Sequence, residues 1–382
     1  MQLYNYINLD QLERHIESGL VSRQFHPCWP LAILNYTQEA MGKIHDDLVL
    51  RACRGLIYNF QTMEIVARPM KAFFNYNDDR YFETVPGRGL PPTTAYHEVT
   101  EKMDGSLGIV YQYRDNLPEI ATRGSFVSEQ AQWATEHLRC AHLDHFTKVP
   151  ESMTLLVEII YPENRIVVDY HGVYELALHT VIFNETGLEL KYPEMVKFAE
   201  EHRLPFTIVP YYPEKEIAQC ANENERNREG YVVKYFVPGV DPIRIKIKFE
   251  DYRLAHRAMF GMHNRDVWEL LKDGKEIDLE NFRVCPQGFI EWLTQQINTF
   301  QTQFKFIELQ VYDALSVLWY GEWTRKDIAE FFKARAVQTG IPWLMGVLFA
   351  AYDNKNYQAI IWKGLRPERA IGYVAAQKEE PC

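Results

Sequence analysis

Cysteine is scarce and scattered in this chain of 382 residues. The six are Cys28, Cys53, Cys140, Cys220, Cys285 and Cys382, with no Cys-x-x-Cys pair among them. That spacing excludes a zinc ribbon and a disulfide framework and fits reduced thiols. Cys140, His142 and His145 share one amphipathic stretch with no second ligand pair beside it, so they read as helix rather than metal site. Positive charge is short as well: 41 Lys and Arg stand against 52 Asp and Glu, a net charge of −11. A non-specific nucleic-acid coat is thereby excluded, and any polyanion must meet a local concentration of cations. No apolar run reaches the roughly 18–20 residues of a spanning helix. The longest, residues 341–352, reads as a buried helix. Met1-Gln2-Leu3-Tyr4-Asn5 has neither the basic start nor the apolar core of a signal peptide. There is no internal repeat and no low-complexity tail. A soluble, cytoplasmic protein without a membrane partner is expected.

What the chain does have is apolar and aromatic content, 47% and 14%, enough at this length for more than one core. Leu12, Ile16 and Leu20 recur at helical spacing over 9–19. Residues 48–60 and 64–67 read as strands, followed by Arg68-Pro69-Met70-Lys71-Ala72-Phe73-Phe74-Asn75-Tyr76. Two adjacent aromatics in that polar setting fill the core, or give one ring to the core and one to a base. Residues 78–95 are a Pro/Gly-rich connection. A strand at 108–113, a turn at 114–118 and a returning strand at 119–125 follow. Ser128 suits the N-cap of a helix with Ala131, Ala134, Leu138 and Ala141 on its apolar side.

Residues 154–161 form an almost wholly apolar strand interrupted by Glu158. A carboxylate there needs a partner, since an unpaired buried charge is strongly unfavourable. It either pairs with Arg165 or faces a ligand or metal. Strands at 166–168 and 174–183 and a helix at 192–202 come next. In 243–249 side chains alternate, so Ile243, Ile245, Ile247 and Phe249 share one face and Arg244, Lys246 and Lys248 the other. Three aligned cations repel one another unless an anion lies opposite. They belong either to an edge strand guarded by lysines or to the bed of a polyphosphate. Beyond Asp251 the pattern is helical, with Phe289, Leu293, Ile297, Phe300, Phe304, Ile307, Val311, Leu315 and Leu318 on one stripe. Thr324 with Asp327 resembles a capping box, and Gly340 is placed to end that helix. The boundary falls near 249–251, giving domains 1–250 and 251–382.

Glu101-Lys102-Met103-Asp104-Gly105-Ser106-Leu107 is, taken alone, a charged turn, since Asp-Gly is a common turn dipeptide. The order of elements changes that reading. A Lys-x-Asp-Gly start, a Glu in a later apolar strand, Glu229-Gly230-Tyr231-Val232 and a Lys-x-Lys strand resemble the covalent nucleotidyltransferases, the polynucleotide ligases and mRNA capping enzymes. Arg54-Gly55, Arg68-Pro69-Met70 with Phe73-Phe74-Asn75, Gly124-Ser125, Asn164-Arg165-Ile166-Val167 and the helical end narrow the resemblance to the phage-type RNA ligase 1 family.

The resemblance implies an α+β fold, with antiparallel sheets around a nucleotide pocket followed by an all-helical domain that recognises RNA. It implies an ATP-dependent RNA ligase in RNA or tRNA repair, using Mg²⁺ or Mn²⁺ and joining 5′-phosphate to 3′-hydroxyl ends of tRNA or other single-stranded RNA. Lys102 would be the nucleophile that takes AMP. Arg54, Phe74, Glu101, Asp104, Gly105, Arg123, Glu158, Glu229, Gly230, Lys246 and Lys248 would hold the nucleotide, and Glu158 and Glu229 would also reach the metal. A lysine attacks phosphorus only as the neutral amine, so burial and the cations Lys246 and Lys248 are expected to lower its pKa. The rivals are a ligase acting on single-stranded DNA and an RNA-binding relative with impaired catalysis. A DNA ligase or capping enzyme would carry a barrel domain where this chain turns helical. Two departures stand out: Ala72, with Lys71 before it, replaces the lysine that the family places before Phe-Phe-Asn, and Arg123 replaces the lysine before Gly-Ser.

Overall fold

The computed structural model describes residues 1–76, 78, 96–142, 148–150, 152–236 and 241–374. The connection expected at 78–95, apart from Asp78, and His145 lie outside them. Two compact units divide the chain, Met1–Tyr252 and Arg253–Cys382.

The described residues of the first unit form three sheets. One runs β1 (Val21–Phe25), β2 (Leu31–Tyr36), β3 (Arg54–Asn59), β4 (Ile65–Ala67), all antiparallel. In the second, β7 (Ser106–Tyr111) lies between β8 (Glu119–Thr122) and β9 (Met153–Ile160), and β10 (Glu175–Phe183) and β11 (Thr207–Ile208) extend it. The third is β5 (Phe74–Asn75), β13 (Ile243–Lys248), β12 (Gly230–Tyr235), β6 (His97–Glu101). Among the described residues, only β10–β11 and β5–β13 pair parallel. Helices α1 (Leu9–Glu17), α2 (Leu48–Ala52), α3 (Glu129–His142), α4 (Tyr192–Glu201) and α5 (Ile217–Asn222) cover the sheets. The fold is mixed α+β.

Residues 48–60 are not one strand. Asp47 accepts the N–H groups of Val49 and Leu50 and caps a short helix, and the strand begins only at Arg54. Residues 166–168 are irregular as well, because the N–H groups of Val167 and Val168 go to a carboxylate instead of a ladder. The strand carrying Arg244, Lys246 and Lys248 lies inside its sheet, so it is not a guarded edge.

Helix α6 (Glu250–Gly261) leads into the second unit, with α7 (Asn264–Lys272), the 32-residue α8 (Gln287–Leu318), α9 (Arg325–Thr339), α10 (Leu344–Tyr352) and α11 (Gln358–Gly364). Ile307, Val311, Phe332, Val347, Leu348 and Ile361 form its core. Thr324 and Asp327 make a reciprocal capping box, and Gly340 closes α9 with φ of 69°. Among the described residues no helix is long and apolar enough to cross a membrane.

Candidate active site

A cavity of about 520 Å³ opens in the first unit, and all three sheets contribute to it. β3 and β2 supply Arg54 and Asn35; β7, β9 and β10 supply Ser106, Leu107, Glu158, His179 and Thr180; β6, β12 and β13 supply Thr100, Val232, Lys234 and Arg244. Lys102 and Gly105 lie in the link between β6 of one sheet and β7 of another, so Lys102 is not on a strand. Among the described residues, five cations, Arg54, Lys102, Arg123, Lys234 and Arg244, line the cavity against one carboxylate, Glu158. In a chain of net charge −11, that concentration marks an anion site.

Local chemistry sets the geometry of each wall. The link is stapled by Asp104, whose Oδ2 accepts the N–H groups of Val167 and Val168, both at 2.8 Å, and whose Oδ1 accepts the Tyr252 hydroxyl at 2.7 Å. Burial, and then the charge of Glu229, hold the Asp104 carboxyl above its ordinary range. Asp104 therefore shapes the turn and does not line the cavity.

Lys102 Nζ donates to Glu229 Oε2 at 2.8 Å, and Lys248 pairs with Glu229 Oε1 at 2.8 Å. Burial disfavours the Lys102 ammonium, but the carboxylates of Glu229, Glu158 and Asp104 outweigh it and raise its pKa above the ordinary lysine value. This reverses the expectation from sequence, because the carboxylates and not the cations dominate the charge around Lys102. The lowered pKa belongs to Lys246 instead. Burial, and then the charges of Lys102, Lys248 and Arg54, bring it to about 8.

Two β-bulges aim side chains at the cavity. On β10 the register slips between Leu178 and Thr180, leaving His179 as the extra residue, and its Nε2 lies 2.6 Å from Glu158 Oε2. Glu158 thus pairs with His179, and Arg165 pairs with Asp169 at 3.1 Å. On β3 the extra residue is Gly55, with φ of 90°, between Arg54 and Leu56. A Cβ there would stand 2.3 Å from Ile109 Cδ1. The buried Arg54 Nη1 has no hydrogen-bond partner among the described residues. Burial, helped by the charge of Arg123, lowers the Arg54 pKa to about 10.

The aromatic pair divides its rings. Phe74 is buried in the core of the first sheet and its helices, stacked on His45 with ring centroids 4.1 Å apart. Phe73 lines the cavity, with the Arg54 guanidinium and Lys246 Nζ each 5.5 Å from its ring centroid. The wall residue is Phe73 and not Phe74, because Phe74 pairs with Ile245 in β13 and turns inward. Glu101 also faces away from the cavity, bound to Tyr212 at 2.8 Å and to Arg228 at 3.0 Å. Gly230, at φ of 143°, lets β12 begin against Ile247, whose carbonyl oxygen a Cβ would meet at 2.0 Å. Lys71 turns out of the cavity to Asp241 at 2.7 Å, so it does not stand in for the lysine that Ala72 replaces. Arg123 keeps its charge at the rim, 3.3 Å from the Tyr36 hydroxyl.

The two carboxylates expected to reach the metal are both already paired. Glu158 is engaged by His179 and Glu229 by two lysines, and among the described residues no three His, Cys, Asp or Glu side chains group as a cation site. Sequence reasoning missed Thr100, Val232, Lys234 and His179, and of the Phe73-Phe74 pair it placed the wrong ring at the nucleotide. Alternation would have found three of them: Thr100 shares a face with Lys102, and Val232 and Lys234 share one with Gly230. The bulge that exposes His179 leaves no such trace.

A family model described as RNA ligase matches residues 52–254, and the chain belongs to that family, the phage-type RNA ligase 1 family. It resembles an Autographa californica nuclear polyhedrosis virus protein named "Putative bifunctional polynucleotide kinase/RNA ligase", at 33% identity over 103 residues. The match takes in 26% of this chain and only 14% of the viral protein. Among solved structures, Naegleria gruberi RNA ligase with PPi matches over 43% of this chain and 53% of its own, at 19% identity and a TM-score of 0.34. A mutant of the same ligase with AMP and Mn matches over 42% and 52%, at 19% identity and a TM-score of 0.33. The chain thus spans about half the length of the solved ligase.

Proposed function

We propose that this chain is an ATP-dependent RNA ligase whose Lys102 takes AMP from ATP and passes it to an RNA 5′-phosphate. One observation carries the reading: Lys102 stands on the wall of a cation-lined cavity, hydrogen-bonded to Glu229, with the unpartnered Arg54 Nη1 buried in the same wall. An unsatisfied buried guanidinium nitrogen is costly until an anion such as a phosphate oxygen accepts from it.

In the first step the Lys102 nitrogen bonds to the α-phosphorus as the bond to pyrophosphate breaks. The proton it loses has Glu229 Oε2 as its nearest acceptor. Lys248, held on the other oxygen of Glu229, and Lys246 keep positive charge beside the transferring group. The AMP then moves to the RNA 5′-phosphate, and a 3′-hydroxyl displaces it. A divalent ion, Mg²⁺ or Mn²⁺, would neutralise phosphate charge, with Glu158 the carboxylate on the cavity wall available to it. The helical unit is assigned the choice of RNA, tRNA or another single-stranded end.

The test is intact mass after incubation with ATP and Mg²⁺. Wild type gains one AMP and Lys102→Ala does not. Absence of the adduct from wild type with Mg²⁺ and with Mn²⁺ sinks the reading, and a second assay on 5′-phosphate RNA and single-stranded DNA separates the two substrates.

A further inference from the structure

Behind the Lys102–Glu229 pair is a second ion pair joining the same two stretches of chain. β6 and β12 pair with Tyr231 opposite Glu101, and the Lys102 N–H donates to the Gly230 carbonyl at 2.9 Å. Neighbouring side chains in extended chain point to opposite faces. Lys102, on the cavity wall, turns to Glu229, while Glu101 and Arg228, each one residue earlier, pair with one another and do not line the cavity.

That reverse side is fully engaged. Glu101 Oε2 accepts from Arg228 Nη2 at 3.0 Å and from the Tyr212 hydroxyl at 2.8 Å. Arg228 Nη2 also donates to the Tyr212 hydroxyl oxygen at 2.5 Å, and Nη1 donates to Glu225 at 2.7 Å. The guanidinium lies over the rings of Tyr212, Tyr231 and Phe249, 5.2–5.8 Å from their centroids. Tyr212 is itself tied to β6 by its N–H on the Val99 carbonyl at 2.9 Å. A planar fork held by a carboxylate, a phenol and three rings is rigid.

We infer that Arg228, acting through Glu101 and Tyr212, is a positioning residue that fixes the Lys102 amine and the Glu229 carboxylate relative to each other. The inference rests on the reading of Lys102 as nucleophile. Arg228 touches no wall of the cavity, so its loss acts on the geometry of attack and not on nucleotide binding. Small misplacements of reacting groups have large effects on rate.

The experiment follows lysine–AMP formation in single turnover with ATP and Mg²⁺, alongside ATP binding by equilibrium dialysis and thermal melting. Arg228→Ala is expected to slow adduct formation about tenfold or more, with ATP affinity held within about threefold, since only geometry is lost. Arg228→Lys recovers part of the rate by restoring a cation beside Glu101. Arg226→Ala, at a neighbouring arginine 64% exposed, leaves the rate unchanged. An unaltered rate in Arg228→Ala overturns the inference. So does a fall in rate matched by equal falls in ATP affinity and melting temperature, which is the mark of a structural role. A wild-type chain that forms no adduct overturns the nucleophile reading and this inference with it, and is told apart because no variant is needed to see it.

Discussion

Lys102 and Glu229 are hydrogen-bonded at 2.8 Å, and Glu229, only 3% exposed, is held by Lys248 on its other oxygen. A single carboxylate thus serves two lysines from below the cavity.

Glu229→Gln removes the charge between those lysines. Both are partly solvated, 22% and 29% exposed, so the full penalty of a broken buried pair does not apply. A loss of about 1–3 kcal/mol is expected in chemical denaturation. The same variant lowers the Lys102 pKa by removing its strongest favourable partner, readable by amine labelling across pH. The sign follows from linkage. Because the folded Lys102 pKa is raised, its contribution is fully present below the ordinary lysine pKa and is lost as pH rises through the folded value. Wild type should therefore lose stability relative to Glu229→Gln at strongly alkaline pH.

Lys246 behaves oppositely. Its folded pKa of about 8 lies below the ordinary 10.5, so between those values the unfolded chain binds more protons and this group adds stability as pH rises. A polyphosphate bound near Phe73 restores the charge on Lys246. ATP binding at pH 8–9 should take up protons, seen as a dependence of binding heat on buffer ionisation enthalpy. No uptake, or proton release, would refute it.

The two phenylalanines separate binding from stability. Phe74→Ala empties a core position and should cost about 3–5 kcal/mol while the folded protein still binds ATP. Phe73→Ala removes a cavity wall and should weaken ATP binding with a small change in melting temperature.

Gly230→Ala places a methyl group 2.0 Å from the Ile247 carbonyl oxygen at a φ of 143°. Either the start of β12 shifts, carrying Glu229 with it, or the unit unfolds. A stability loss of about 2 kcal/mol or more together with loss of the lysine–AMP adduct is expected. Wild-type adduct yield in this variant would show that the position of Glu229 is unimportant.

Much of the molecule was legible in the residue order. Turn chemistry at Asp104-Gly105, the two-residue alternation of Arg244, Lys246 and Lys248, the Thr324–Asp327 cap and the helical stripe through α8 all act over a few residues, so a linear reading captures them. What only the tertiary structure decided depends on contacts between distant segments. Which of Phe73 and Phe74 faces the cavity follows from the pairing of β5 with β13. The partner of Glu158 follows from a bulge that turns His179 toward it. Whether the Lys102 pKa rises or falls depends on the balance of Glu229 and Glu158 against Lys246 and Lys248, and that balance is a matter of distance in space.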